Sequence, residues 1–362
     1  MIQRRTFLGV ATGAALCLAT RDLAAKAVPR GWSSTEIRTQ RHGKLKSRPV
    51  VTGVSLQDEG NLLAIVGDDH YVSLYDIQAE RFVDHLKGHT DWVRDAKFSP
   101  DSKMLFTCGN DQQLFGWKAD QLTSPEFKSK RKSAIIKLAV SNDSTKLATV
   151  GFNPYLMIHD ATSGREIQKL RCACADNHAV AFSADNKLVA AGGRCGTIRV
   201  WDLESTVLLH QFAAHRRRVR SLEFTKKGAL ISVGEDQIVK VNNLSDESAS
   251  FALPRHAAKL FAIKVVSESI IATAGSDNRI HVWNLDNQSE INVLSRHTGT
   301  VTSLDVAQGL LVSGSFDTTV RIWTPDPNEL AESEPVFITP QFSSEPRESA
   351  SRPAKPGVWT RR

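Results

Sequence analysis

Four histidines in this chain stand 20 to 22 residues ahead of an aspartate, and each interval contains a serine or threonine. They are His89 with Thr107 and Asp111, His215 with Ser232 and Asp236, His256 with Thr273 and Asp277, and His297 with Ser313 and Asp317. One such set could do nucleophilic chemistry, the carboxylate orienting the imidazole and the imidazole taking the hydroxyl proton. Four copies at one spacing argue for a structural role instead. A reacting centre is needed once, whereas a network that satisfies buried polar groups is needed once per structural unit. In three of the four sets a tryptophan (Trp117, Trp283 or Trp323) follows six residues after the aspartate. A buried indole N–H needs a partner as well, and the same network can supply it.

These residues are positioned by a repeat. The residue closing the first apolar stretch of each unit is Leu56, Phe98, Val140, Phe182, Phe224, Val265 or Val306, at steps of 42, 42, 42, 42, 41 and 41. Each unit later reaches Tyr75, Trp117, His159, Trp201, Asn242, Trp283 or Trp323. Six residues before those lie Asp69, Asp111, Asn153, Cys195, Asp236, Asp277 and Asp317. A period near 40 with a polar turn and Trp-Asp endings predicts a propeller. Within a unit the apolar runs have strand length: "DWVRDAKFS", "KMLFTCG" and "QLFGWK" are separated by "PDS" and "ND" turns. Inner runs such as "LLAIVG" and "IIATAG" are almost wholly apolar, as in strands covered on both faces. Gly67, Gly109, Gly151, Gly193, Gly234 and Gly275 sit two residues before the turn position, where a tight turn or close blade packing needs them. The expectation is an all-β fold of four-stranded blades.

On these residues the chain resembles the WD40-repeat (β-transducin-like) family over roughly residues 35 to 324. In that family a His, a Ser or Thr, a turn Asp and a third-strand Trp bond as a tetrad. The second, sixth and seventh units carry all four types; the fifth has Asn242 in place of Trp, and units one, three and four depart further. "EIRTQRH" (Glu36 to His42) echoes "EINVLSRH" (Glu290 to His297), so the N-terminal stretch is expected to supply the outer strand of the last blade and close a seven-bladed ring. Pro335 to Thr339 is a competing closing strand. Between His42 and Leu56 there are five more residues than between His89 and Phe98, an insertion leading into the first blade. The expected domains are a leader at 1–27, a propeller at 28–324 and a proline-rich flexible tail at 325–362. That tail holds seven of the chain's thirteen prolines.

The resemblance implies a partner-binding rim, with exposed positions three and five past the His. Carried over, these are Trp92 and Arg94, Arg218 and Arg220, and Lys259 and Phe261. Lys130, Arg131 and Lys132, together with Arg216 and Arg217, belong to loops on the same rim. Such a cationic and aromatic ring suits a protein partner with an acidic segment, or another anionic polymer. The formal net charge of +7 falls to about +4 without the four basic groups and one acidic group of residues 1–27, so overall charge does not argue for nucleic acid.

In the fourth unit the His position falls on Ala173, between Cys172 and Cys174, and the Asp position is Cys195. The residues that would have met through a His–Asp bond are thiols. A disulfide from Cys195 to Cys174 or Cys172 is therefore expected, and closing a loop of about 20 residues contributes roughly 3 kcal/mol. Adding His178 makes only a weak zinc pattern.

Arg4 and Arg5 precede Phe7 and Leu8 and a weakly apolar stretch, and "AKA" (Ala25 to Ala27) offers small residues at a cleavage position. This resembles a twin-arginine export signal, with a cytoplasmic scaffold as the competing reading. The apolar run is too short for a membrane-spanning helix of about 20 residues. No glycine-rich phosphate loop, nucleophile elbow or carboxylate–histidine metal cluster stands out. The reading is a non-catalytic scaffold without cofactor or metal. Its competitor is an exported hydrolase or oxidoreductase with ligands lining the channel, which metal-competent side chains on the inner strands would favour.

Overall fold

The computed structural model describes residues 31–42 and 46–325, and there the repeat forms seven antiparallel sheets of four strands each. The regular elements described are strands, apart from one 3₁₀ turn at Glu247–Ala249. The innermost strands are β2 (Val51–Leu56), β6 (Val93–Phe98), β10 (Ile135–Val140), β14 (Asn177–Phe182), β18 (Val219–Phe224), β22 (Leu260–Val265) and β26 (Val301–Ala307). The last blade is completed from the other end of the chain. Its strands β27 (Leu310–Ser315) and β28 (Thr319–Pro325) follow β26, and β1 (Trp32–Arg38) then pairs with β28 from Trp32↔Pro325 to Arg38↔Thr319. The N-terminal closure expected from Glu36–His42 is the one formed. The competing Pro335–Thr339 strand, the leader and the tail lie outside the described residues.

Apolar strands sandwiched between blades build the core. Every residue of β23 (Ile270–Gly275) is buried. Seven hydrophobic clusters each join two neighbouring blades: one packs Phe98 and Trp117 against Ala64 and Leu74, and another packs Val150 and Leu156 against Val180 and Trp201. Burial is therefore shared along the ring, and each blade depends on its neighbours for a dry second face.

Two recurring local features shape the rim. First, each innermost strand shifts register near its start, between Val51 and Gly53, Val93 and Asp95, Ile135 and Lys137, Asn177 and Ala179, Val219 and Ser221, Leu260 and Ala262, and Val301 and Ser303. The skipped residues are Thr52, Arg94, Ile136, His178, Arg220, Phe261 and Thr302, and such bulges re-aim side chains. Second, the strand-ending glycines lie against backbone. A Cβ on Gly151 would come within 2.0 Å of the Ala134 carbonyl oxygen, and one on Gly193 within 2.0 Å of the Asp176 oxygen.

Candidate functional site

The His, Asp and hydroxyl residues are drawn together in three blades. In blade two His89 Nδ1 stands 2.8 Å from Asp111 Oδ2, His89 Nε2 stands 2.9 Å from Thr107 Oγ1, and Trp117 Nε1–H donates to the same oxygen at 3.1 Å. Blade seven repeats this with His297–Asp317 at 2.9 Å, His297–Ser313 at 2.7 Å and Trp323–Ser313 at 2.8 Å. Blade five has His215–Asp236 at 2.8 Å and His215–Ser232 at 2.9 Å, while Asn242 bonds the Leu230 carbonyl instead. Thr107, Ser232 and Ser313 are fully buried, which leaves no room for a substrate at any of the hydroxyls. Burial pushes the carboxyls of Asp111, Asp236 and Asp317 up, but the bonded imidazoles outweigh it and all three are lowered.

The sixth blade corrects the sequence reading. Asp277 receives His281 Nε2 at 2.7 Å rather than His256, although Trp283 still donates to Thr273 at 3.2 Å. The ring of His256 meets that of His281 edge-on at 4.9 Å, and its Nε2 has no hydrogen-bond partner. The physical reason is proximity: His281 is four residues from Asp277 and also borders Glu290. Burial first, then repulsion from His281, lowers the His256 pKa to about 4.

The loops before each blade and the Asp-bearing turns do share one rim. The N–H groups of Asn110, Phe152, Arg194, Glu235, Ser276 and Phe316 donate to the carbonyls of Trp92, Ala134, Asp176, Arg218, Lys259 and Thr300, at 2.8 to 3.3 Å. Lys130, Lys132, Arg216, Arg217 and Lys259 are exposed there. Trp92, Phe152 and Phe316 are 37%, 49% and 44% exposed.

Other predicted rim residues are tied down. Arg94 donates to Asn110 Oδ1 at 2.8 Å and lies 5.3 Å from the Trp92 ring centroid. Arg218 bridges Asp176 at 2.8 Å and Glu235 at 3.4 Å; Arg220 also pairs with Glu235 and lies 4.8 Å from the Phe261 centroid. His178 Nε2 is 2.6 Å from Asp176 Oδ1, and burial foremost, then Arg220, lowers its pKa to about 4. Arg131 is a second correction. Its side chain is only 14% exposed, because it stands at the tetrad-His position of blade three and turns inward to His159.

Sequence reasoning missed Asp176 and Glu235, whose carboxylates neutralise part of this rim, and the place of His178 beside Asp176. The signal was present: Asp176 and His178 stand two repeats on from Trp92 and Arg94.

In blade four Cys172 is buried in the core cluster with Leu156, whereas Cys174 faces the turn. The Cys195 N–H lies 3.4 Å from Cys174 Sγ. All four described thiols are free in this structure. Burial first, then neighbouring Cys195, pushes the Cys174 thiol up to about 11.

The central channel, with a cavity of about 660 Å³, is lined by paired charges. Lys97 lies 3.2 Å and Lys264 3.4 Å from Asp305, Lys264 lies 3.1 Å from Glu223, and Lys137 lies 3.0 Å from Asp95. The carboxylates also accept N–H bonds from the next blade: Asp95 from Leu138, Glu223 from Val265 and Asp305 from Leu56, at 3.0 to 3.2 Å. Burial opposes ionisation of Asp305, but Lys97 and Lys264 hold its pKa down to about 2. These side chains stitch blades together. No group of three His, Cys, Asp or Glu side chains that could hold a metal ion occurs among the described residues.

The molecule is thus a seven-bladed propeller carried on buried His–Asp networks. Four segments, residues 80–118, 171–202, 206–243 and 288–324, match the family model "WD domain, G-beta repeat", and the chain carries WD40 repeats. Each matched segment ends at the third strand of a blade, one strand short of the sheet, and in the last blade β1 supplies the fourth.

Among similar proteins, a nuclear distribution protein PAC1 from Arthroderma benhamiae is 30% identical over 206 residues, 56% of this chain and 40% of that protein. An apoptotic protease-activating factor 1 from Danio rerio is 25% identical over 189 residues, 50% of this chain and 14% of that protein. A pre-mRNA-processing factor 19 from Caenorhabditis elegans is 21% identical over 202 residues, 54% and 41% of the two chains. The matched part of the chain thus spans between 14% and 41% of the length of these relatives. Among the described residues no helix is long and apolar enough to cross a membrane.

Proposed function

We propose that this chain is a non-catalytic scaffold that holds a protein partner, through an acidic or otherwise anionic segment, on the rim bearing Arg216, Arg217, Lys130, Lys132 and Lys259. The observation that carries this reading is the contrast between two groups of polar residues. Those with catalytic potential are buried and, apart from His256 Nε2, hydrogen-bonded to one another, whereas a set of cations stands exposed on the same rim as Trp92, Phe152 and Phe316. Exposed aromatics next to cations are the common composition of recognition surfaces. The three similar proteins bear three unrelated names, which accords with a fold that hosts different functions.

Capture experiments with wild type beside an Arg216→Glu, Arg217→Glu variant test the reading. A partner held by wild type and lost by the variant supports it; equal capture by both moves the working surface away from this rim. Export belongs to the same proposal and rests on Arg4 and Arg5 ahead of the apolar stretch. Cell fractionation of wild type and an Arg4→Lys, Arg5→Lys variant tests it. Retention of both inside the cell would leave the scaffold reading intact and remove export.

A further inference from the structure

Blade three, with strands β10, β11 (Lys146–Gly151), β12 (Tyr155–Asp160) and β13 (Glu166–Arg171), has lost every tetrad residue but the hydroxyl. Arg131 stands where His89 stands in blade two, and its N–H bonds the Gln112 carbonyl just as that of His256 bonds Gln237. Asn153 replaces the Asp and His159 the Trp. Arg131 Nη2–H donates to His159 Nδ1 at 2.7 Å, so His159 is left to donate from Nε2 to Thr149 Oγ1 at 2.8 Å. The ring is completely buried, and burial first, then Arg131, lowers its pKa to about 3. It is a neutral acceptor for the guanidinium.

The turn has changed as well. In the other six blades the residue after the Asp position takes a positive φ: 69° at His70, 67° at Gln112, 75° at Gly196, 72° at Gln237, 66° at Asn278 and 68° at Thr318. In blade three that residue is Pro154, whose ring fixes φ near −65°. The turn cannot fold back as the others do. Asn153 points its amide to Ser133 Oγ at 3.0 Å instead of meeting the residue in the His position.

Imidazole in place of indole, together with this different turn, accompanies a cavity of about 350 Å³, within the range that small ligands occupy. Ile135, Val150, Pro154 and Met157 contribute apolar wall. Four cations line it, Lys130, Arg131, Lys132 and Lys169, against the single carboxylate of Glu166. Lys169 lies 4.0 Å from the Tyr155 ring centroid. Arg131 Nε is buried there without a hydrogen-bond partner, and a buried guanidinium N–H left unpaired is costly.

We propose that this cavity binds a small organic carboxylate with a compact apolar body, its head between Arg131 and the lysines and its body on the Ile135, Val150 and Met157 wall. The shape favours this class over inorganic anions, which would leave the apolar wall uncovered. The site lies where blade three follows blade two, Lys130 ending the outer strand of blade two. It shares Lys130 and Lys132 with the proposed partner-binding rim, but its ligand class follows from the cavity alone.

Titration calorimetry on the intact chain tests it with benzoate, phenylacetate and 4-methylpentanoate, beside phenylacetamide and inorganic phosphate. At least one carboxylate should bind saturably, and phenylacetamide should bind at least ~10-fold more weakly than phenylacetate, as expected when a charge-assisted bond is lost. Lys132→Glu with Lys169→Glu changes only exposed side chains, and should weaken carboxylate binding ~10-fold or more with an unchanged melting temperature. Met157→Trp fills the cavity and should abolish binding. Absence of binding by all three carboxylates overturns the proposal. So does equal binding of the amide, phosphate binding as tightly as the carboxylates, or binding that survives both variants.

Discussion

A histidine in this propeller is worth what its partners make it worth. His89 holds both a carboxylate and a hydroxyl, whereas His256 has an unpartnered Nε2 and faces His281. His89→Ala strands Asp111 and Thr107 and should cost roughly 1–3 kcal/mol, while His256→Ala should cost at least ~1 kcal/mol less. Urea unfolding of the two variants checks the order.

The acid response follows from burial. His159, His178 and His256 have folded pKa values lowered to about 3, 4 and 4, against about 6.5 in an unfolded chain. Their folded forms bind fewer protons, so stability is full above about pH 6.5 and falls as the pH drops towards 4. The lowered aspartates Asp111, Asp236, Asp277 and Asp317 act next. Their contribution is present above about pH 4 and is lost as the pH falls through their folded values. His281 has the opposite sense. Burial pulls its pKa down, but Asp277 and Glu290 raise it, so its contribution is lost as the pH rises through its folded value. Unfolding free energy measured from pH 7 to 4.5 should therefore decline. His159→Gln should flatten the decline by up to one proton, about 1.4 kcal/mol per pH unit.

Three of the four His–Asp sets could be read directly from spacing, because offsets of 20 to 22 residues recur only if the backbone repeats. The sixth could not, since a competitor on the strand after the turn, His281, decides the outcome at side-chain range. Arg131 was readable in principle: it stands 42 residues after His89, one full repeat, although its neighbours Lys130 and Lys132 make it look like part of a charge run.

Strands and turns are the scale at which the departures from the repeat gather. Blades three and four replace the His–Asp bond in two chemistries, a guanidinium–imidazole pair and a pair of thiols. In blade four, Cys172 is committed to the core and Cys174 faces Cys195, so Cys195 has one neighbour suited to oxidation. With excess oxidised glutathione, exchange should join the sulfurs of Cys174 and Cys195. Each thiol gives up its proton, and the glutathione disulfide is reduced to two glutathione thiols. The free-thiol count should fall by two, and Cys195→Ser should prevent the loss. An unchanged count in wild type would mean that the sulfurs cannot reach bonding geometry.

The period also placed the inner strands, but not which of their side chains would pair across the channel. Ser55, Lys97, Ala139, Ala181, Glu223, Lys264 and Asp305 occupy one level of the ring, a repeat apart. Their identities vary, so no motif marks them, and Lys97–Asp305 spans 208 residues of sequence.

For the molecule as a whole, the ring is closed by seven residues. β1 covers the edge of β28, burying Ile37 and pairing Glu36 with Arg321. Removing residues up to Arg38 should leave the outer edge of β28 bare, lower the melting temperature and promote association through that edge. Light scattering alongside thermal unfolding checks both. A truncated chain that stays monomeric with an unchanged melting temperature would show that closure contributes little.

The register of that closure has a mechanical consequence. Trp32 pairs with Pro325, so the backbone leaves β1 and β28 at the same end of their ladder. Tension applied at those two points pulls the strands apart sideways, loading one pair of hydrogen bonds at a time instead of all seven positions in shear. A ring built to hide its edges from solvent thus carries its seam where its own ends can unzip it.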